Sequence, residues 1–235
     1  TENLSRRFSS LAAVTDLALE VQPGDIYGFL GLNGAGKTTT IRMLLNLIRP
    51  DAGQIYFYGH DLNRDYIDVM SYVGGLVDIP SFYGHLSAWQ NLSLFARLRN
   101  CYSADVVSDV LLYVGLLERA GDKVRTYSQG MRQRLGIAVA LLPVFITKPS
   151  ADMAPVIILD EPTNGLDPKW IIEIRNLIKR LNRDCRATFI ISTHLLAEVE
   201  RLCNRVGIIQ EGKLIAQGTL AEVLKDRQSL EEYFL

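Results

Sequence analysis

The sequence predicts an α/β protein in which a parallel sheet is covered on both faces by helices. Three observations carry this prediction. Short, largely apolar runs at Ile26–Leu30, Val156–Leu159 and Ala187–Ser192 have the composition of strands buried on both faces. Longer stretches between them place apolar residues at helical spacing. A glycine loop of defined spacing, Gly31–Thr39, joins the first of these strands to the first helical run.

Taken in order, Leu17, Leu19 and Val21 alternate with polar residues as in a strand, and Pro23-Gly24-Asp25 then turns the chain. Ile26–Leu30 follows as a strand. The run T-I-R-M-L-L-N-L-I after the glycine loop reads as a helix that ends before Pro50-Asp51-Ala52-Gly53. Gln54–Tyr58 reads as a further strand. From about Leu86 to Leu142 the spacing is helical; Ser87 is placed to cap a helix starting near Ala88, with Leu92, Phe95, Ala96 and Leu98 on its buried side. Pro143–Pro155 holds three prolines and no periodicity, which predicts a surface loop. Val156–Asp160 is the next strand, Lys169–Asn182 an amphipathic helix, Ala187–Ser192 a strand and Leu195–Cys203 a helix. Val206–Gln210 and Lys213–Gln217 flank Glu211-Gly212 as a hairpin. A long helical stretch inserted between two sheet strands is the unusual feature.

Composition narrows the function classes. The 235 residues allow one large domain or two small ones. A net charge of −1 provides no global basic field of the kind that draws nucleic acid, so no nucleic-acid partner is expected. Cys101, Cys185 and Cys203 lie far apart in no metal-ligand spacing, which predicts reduced thiols without chemistry. No apolar run approaches the roughly 20 residues that cross a bilayer. No charged-then-apolar leader opens the sequence, so neither a span nor a signal peptide is expected. A role at a membrane would then need another chain to hold this one there.

The chemistry starts at G-L-N-G-A-G-K-T-T, which fits the phosphate-loop pattern through Gly31, Gly36, Lys37 and Thr38. Backbone N–H groups over Asn33, Gly34, Ala35, Gly36 and Thr39 are expected to curl around phosphate oxygens, helped by the positive end of the helix that follows. Lys37 is expected to reach the β- and γ-phosphates, and the Thr38 hydroxyl to hold Mg²⁺. The expected ligand is a nucleoside triphosphate. A second acidic element, Asp160-Glu161-Pro162, ends the strand Val156–Leu159, at the sheet edge where ligands of parallel sheets bind. Asp160 is the candidate second Mg²⁺ anchor, and Glu161 the candidate general base for a water aimed at the γ-phosphate. His194 closes the strand F-I-I-S-T on the same edge, where it can touch the γ-phosphate and that water.

Tyr127–Leu135, Y-S-Q-G-M-R-Q-R-L, resembles the signature sequence of ATP-binding cassette (ABC) proteins, usually L-S-G-G-Q. With the phosphate loop before it and L-D-E-P-T-N-G-L-D after it, the order is similar to that of the ATPase subunit of an ABC transporter. The resemblance runs from Phe8 to the terminal L-E-E-Y-F. It implies a P-loop NTPase fold with a RecA-like, mostly parallel core sheet, an N-terminal antiparallel β subdomain and an inserted α-helical subdomain. One ABC ATPase domain would span 1–235, with 1–77 and 143–235 forming the core and β parts and about 78–142 the helical part.

The same resemblance assigns roles. Ser128 and Gly130 open a helix near Met131 and would complete the ATP site of a second copy of the subunit. Tyr127, Gln129 and Met131 depart from the usual signature, a variant similar to that of bacterial drug, bacitracin or lantibiotic-type exporters and sodium-extrusion relatives. Asp167 corresponds to the aspartate that contacts the partner subunit, and it can equally cap the helix before Pro168. Phe8 stands where the family stacks a ring on adenine, with Val14 as a neighbour; a core phenylalanine is the alternative. Asp78 falls where the family carries a glutamine. It can reach Mg²⁺ directly or through water, or it is a solvated loop acid. The implied function is an ATP- and Mg²⁺-dependent ATPase that dimerises around two ATP and drives transport, of export type. It would act through a separate integral membrane permease docked near Asp78 to Tyr83, at the cytoplasmic face of the membrane. A soluble ABC ATPase acting on the ribosome or nucleic acid is the alternative; a single cassette without basic arms argues against it.

Overall fold

The structure, a computed structural model, describes residues 1–78, 81–100, 102–146, 153–225 and 229–233. Strands β1 (Glu2–Phe8) and β2 (Leu11–Leu17) lead to β3 (Ile26–Leu30) and, after the glycine loop, to α1 (Lys37–Leu44). Short strands β4 (Ala52–Gln54), β5 (Tyr56–Phe57) and β6 (His60–Asp61) and helix α2 (Tyr66–Tyr72) precede β7 (Val73–Leu76). Helices α3 (Ala88–Leu98), α4 (Ala104–Tyr113) and α5 (Gln129–Ile146) stand between β7 and β8 (Val156–Asp160). The order ends with α6 (Pro168–Cys185), β9 (Thr188–Thr193), α7 (Leu196–Leu202), β10 (Arg205–Gln210), β11 (Lys213–Thr219) and α8 (Leu220–Leu224).

The main sheet has the order β11-β10-β3-β9-β8-β7. Its strands run parallel from β10 to β7, and β11 is added antiparallel as the hairpin partner of β10. A smaller antiparallel sheet, β2-β1-β4, lies beside it. Alternation along each parallel strand feeds two hydrophobic clusters. Ile26 and Leu30, Ile157 and Leu159, and Phe189 and Ile191 point into the cluster built with α3, α4, α5 and α6. Tyr27, Phe29, Ile158 and Ile190 point the other way, onto α1 and the antiparallel strands. Because both faces are covered, every residue of β3, β8 and β9 is buried, which is why these strands read as unbroken apolar runs.

Side-chain chemistry sets several boundaries. Gln90 N–H donates to Ser87 Oγ at 3.1 Å and Ser87 N–H to Gln90 Oε1 at 2.9 Å, a reciprocal capping box that starts α3 at Ala88. Leu92 and Ala96, one turn apart, share the buried face of that helix, with Phe95 packed beside them. Leu98 falls on another face and is 80% exposed, contrary to the periodicity reading. Cys203 lies in the core, and burial pushes its thiol up to about 12; Cys185 is half-buried and shifted the same way, as expected of inert thiols. Cys101 lies outside the described residues.

Three other expectations are corrected. The strand expected over Leu17–Val21 lies earlier, as β2, and Leu19 is buried outside any strand. Gln54–Tyr58 is broken at buried Ile55, with β4 pairing to β1 and β5 pairing to β6 in separate sheets. Pro143 is not the start of a loop, because α5 continues through it to Ile146. Burial of Leu141, Leu142 and Val144 outweighs the proline's cost of about 3 kcal/mol. Residues 147–152 of that expected loop are outside the described residues. Among the described residues no helix is long and apolar enough to cross a membrane.

The backbone of α5 rests directly on β7. A Cβ built at Gly74 would lie 1.8 Å from the Ala140 carbonyl oxygen, so only glycine lets the helix seat there. Gly74→Ala is therefore expected to destabilise the fold by about 1–3 kcal/mol in a denaturant titration. An unchanged midpoint would contradict this packing.

Candidate functional site

The site forms because β3, β8 and β9 are neighbours and end at one edge of the sheet. Leu30 pairs with Thr193, and Asp160 with Ser192, so the glycine loop, the acidic pair and His194 leave the sheet together. The loop then turns sharply. Gly36 has φ +107°, and a Cβ there would meet the Ala13 carbonyl oxygen at 2.5 Å. No other residue type fits that position without moving β2. The turn delivers Lys37 as the first residue of α1.

Charges and hydroxyls then converge. Lys37, only 6% exposed, donates from Nζ to the carbonyls of Gly31 at 2.8 Å and Leu32 at 3.3 Å. Glu161 Oε1 lies 3.6 Å from the same nitrogen. Thr38 Oγ1 donates to Asp160 Oδ2 at 2.7 Å, and Ser192 Oγ donates to Asp160 Oδ1. Glu161 has φ +46°, a left-handed conformation costing about 1–3 kcal/mol for a non-glycine residue. Its N–H is held at 3.1 Å by both the carbonyl and the hydroxyl of Ser192. On its far side, His194 Nδ1 lies 3.0 Å from Glu161 Oε2. Glu161 thus sits between a buried cation and an exposed imidazole.

This cluster opens into a cavity of about 630 Å³. Asn33, Gly34, Gly36, Lys37, Thr38, Thr39 and Glu161 line one side; Phe8, Leu11, Ala12 and Ala13 of the antiparallel strands, with Glu211 and Gly212, line the other. Phe8 is 43% exposed, with the Arg6 guanidinium 4.9 Å from its ring centroid, so it is a wall residue and not a core one. Ala35 belongs to the loop but is buried beneath it. Val14 does not reach the cavity. It is 1% exposed and packs in the core under Gly36, and Leu11, Ala12 and Ala13 form that wall in its place.

Asp78 is likewise not part of the Thr38–Asp160–Glu161 cluster. Its exposed carboxylate accepts from Arg42 Nη2 at 2.6 Å, one turn beyond Thr38 on α1. That exposed ion pair, outside the cluster, is the partner the structure gives Asp78. Ser128, Gly130 and Asp167 are absent from the cavity lining and come together elsewhere. The α5 helix opens at Gln129, earlier than Met131, with Met131 N–H donating to Ser128 Oγ at 3.3 Å. Leu166 lies against Gly130, and Asp167 caps α6 by accepting from Trp170 N–H at 3.1 Å. Tyr127, where leucine is usual, is buried and donates its hydroxyl to the Arg119 carbonyl at 2.7 Å.

Thr38 and Asp160 offer two hard oxygens 2.7 Å apart, a donor pair that suits Mg²⁺. No group of three or more His, Cys, Asp or Glu side chains among the described residues could cage a metal. A cation held by this pair would complete its shell with water and phosphate oxygens, the usual habit of Mg²⁺. Sequence reading missed Ser192, whose link to Asp160 follows from the register of two strands distant in the chain.

A glycine-loop edge of this construction, with a helical module inserted beside it, defines the class as a P-loop nucleotide-binding protein. Comparison with known proteins supplies the family. The family model described as ABC transporter matches residues 14–164, and the chain belongs to that family. It is 42% identical over 235 residues to the bacitracin transport ATP-binding protein BcrA of Bacillus licheniformis, covering 100% of this chain and 74% of that protein. It is 34% identical over 233 residues to the lantibiotic transport ATP-binding protein SrtF of Streptococcus pyogenes, covering 99% of this chain and 94% of the other. A solved ATP-binding subunit of an ABC transporter superposes with a TM-score of 0.86 at 28% identity, covering 99% and 96% of the two chains. The family resemblance and the α/β cassette fold read from the sequence are both borne out.

If Asp78 serves only Arg42, Asp78→Ala leaves Mg²⁺-dependent nucleotide affinity unchanged and shifts stability by no more than about 1 kcal/mol, the range of exposed ion pairs. A marked loss of affinity confined to Mg²⁺-containing buffer would restore Asp78 as a metal ligand.

Proposed function

We propose that this chain is the ATP-hydrolysing subunit of an ABC transporter of export type, working through a separate integral membrane permease at the cytoplasmic face of the membrane. The observation that carries the hydrolytic part is the position of Glu161, 3.6 Å from Lys37 and 3.0 Å from His194 at the mouth of the cavity. A carboxylate there faces the end of a triphosphate whose terminal phosphates rest on the glycine loop.

Lys37 now spends its protons on the Gly31 and Leu32 carbonyls. On binding, it exchanges these for β- and γ-phosphate oxygens, where a cation shielded from water acts strongly. Backbone N–H groups from Asn33 to Thr39 and the start of α1 hold the remaining oxygens. Thr38 and Asp160 would hold Mg²⁺, which when bound neutralises charge on the phosphates. Glu161 accepts the proton of the attacking water, and His194 keeps that carboxylate oriented toward the phosphate. Phe8 offers an exposed ring face for adenine, which needs no edge-specific hydrogen bonds. Most of the rate then comes from positioning and charge neutralisation.

Ser128, Gly130 and Asp167 support a second part of the reading. They lie near one another outside the cavity, where they can meet the phosphates of another copy. We take 1–235 as one ABC ATPase domain, with about 78–142 as its helical part. Export and the permease are supported by relatives named for bacitracin transport, lantibiotic transport and daunorubicin resistance. The net charge of −1 fits the absence of nucleic acid from the reaction.

Glu161→Gln is expected to keep ATP affinity, cut turnover by about 10²–10⁴-fold and accumulate an ATP-bound dimer in size-exclusion chromatography. Turnover near the wild-type rate would remove Glu161 as the base. Lys37→Ala is expected to weaken nucleotide binding by about 1.5–3 kcal/mol, the worth of a charged hydrogen-bond partner. Unchanged affinity in a fluorescent-nucleotide titration would reject the phosphate cradle.

A further inference from the structure

We infer that Ser192 is a positioning residue that orients both carboxylates of the hydrolytic site through one hydroxyl. The inference rests on the ATPase reading above. Ser192 is fully buried on β9, directly opposite Asp160 in the parallel register. Its Oγ donates its single proton to Asp160 Oδ1 and accepts the N–H of Glu161 at 3.1 Å. The donor and one acceptor site of the hydroxyl are therefore used, one on each member of the acidic pair.

These two bonds do different things. Asp160 has two oxygens, and with Oδ1 held by Ser192 the carboxylate can present only Oδ2 to Thr38, 2.7 Å away. Rotation about the carboxylate bond, which would spoil the Thr38–Asp160 pair as a cation site, costs the Ser192 bond. The second bond acts on the backbone. Glu161 turns out of β8 in a left-handed conformation, and its N–H is held there by Ser192, through carbonyl and hydroxyl. That turn aims the Glu161 side chain between Lys37 and His194. A hydroxyl at this strand position thus links the oxygen offered to a cation with the direction of the general base. An alanine would keep the carbonyl bond to Glu161 N–H but lose the hydroxyl's share of it and the whole of the bond to Asp160. Outer partners of ligating carboxylates commonly affect metal affinity or activity by 10–100-fold.

The test compares the wild-type chain with Ser192→Ala and Ser192→Thr. Each is assayed for ATPase kcat and KM, for affinity toward a fluorescent ATP analogue in EDTA and in Mg²⁺, and for thermal midpoint. Ser192→Ala is expected to lose about 10-fold or more in kcat and in the affinity gained on adding Mg²⁺. Its affinity in EDTA should stay close to wild type, while its KM, measured with Mg²⁺, should rise along with the lost Mg²⁺ gain. Ser192→Thr, which keeps the hydroxyl, should restore both losses. Wild-type kcat and a wild-type response to Mg²⁺ in Ser192→Ala would overturn the inference. Equal losses in EDTA and in Mg²⁺, with no rescue by threonine at a wild-type thermal midpoint, would also overturn it by showing a packing role alone. The binding arm needs no turnover, so it decides the role of Ser192 even if the wild-type chain proves not to hydrolyse ATP.

Discussion

Three parallel strands, β3, β8 and β9, end side by side, and the rest of the site depends on that coincidence. Each strand contributes what its own end carries: β3 the glycine loop with Lys37 and Thr38, β8 the pair Asp160-Glu161, β9 Ser192 and His194. The ladder keeps these groups in step, since Leu30 faces Thr193 and Asp160 faces Ser192. A one-residue slip of any strand would reverse its side chains and send its polar terminus into the core. The hydrophobic clusters on both faces of the sheet resist such a slip, so core packing and the placement of the chemistry are the same constraint.

Lys37 shows what that constraint stores. A cation that is 6% exposed is costly unless fully paired, and here it is held by two backbone carbonyls and faces Glu161. Carbonyls are weaker partners for an ammonium than phosphate oxygens, so the site is organised for an anion that outbids them. Asp160 is satisfied as an acceptor, one oxygen by the Thr38 hydroxyl and the other by that of Ser192. The bonds of Lys37 to the carbonyls and of Thr38 to Asp160 are ones that a phosphate and a cation can replace, while the Ser192 bond to Asp160 stays in place. Preorganisation of this kind limits the rearrangement needed on binding.

Much of this was legible in the sequence, for identifiable reasons. Strands covered on both faces must be apolar throughout, so β3, β8 and β9 stood out. Caps announce themselves through short polar side chains, which is how Ser87 and Asp167 were placed. The glycine loop and the acidic pair carry their chemistry in adjacent residues. Other features depend on long-range neighbours. Val14 lies close enough in sequence to suit a base contact, yet burial in the core removes it. The ion pair of Asp78 requires knowing that α1 turns Arg42 toward it. Ser192 gains its role from a cross-strand register, and the helical run through Pro143 from tertiary burial of its neighbours. Local pattern reports propensity; partners across the fold decide these cases.

In the function proposed, the cavity beside Lys37 receives a triphosphate, with its terminal phosphate under Glu161 and its base against Phe8. A crystal structure of the chain with Mg²⁺ and a non-hydrolysable ATP analogue tests it most directly. The expected result is Lys37 Nζ transferred from the Gly31 and Leu32 carbonyls to β- and γ-phosphate oxygens, with the adenine ring stacked on Phe8. Nucleotide bound elsewhere, or bound here with Lys37 still on its carbonyls, would contradict it.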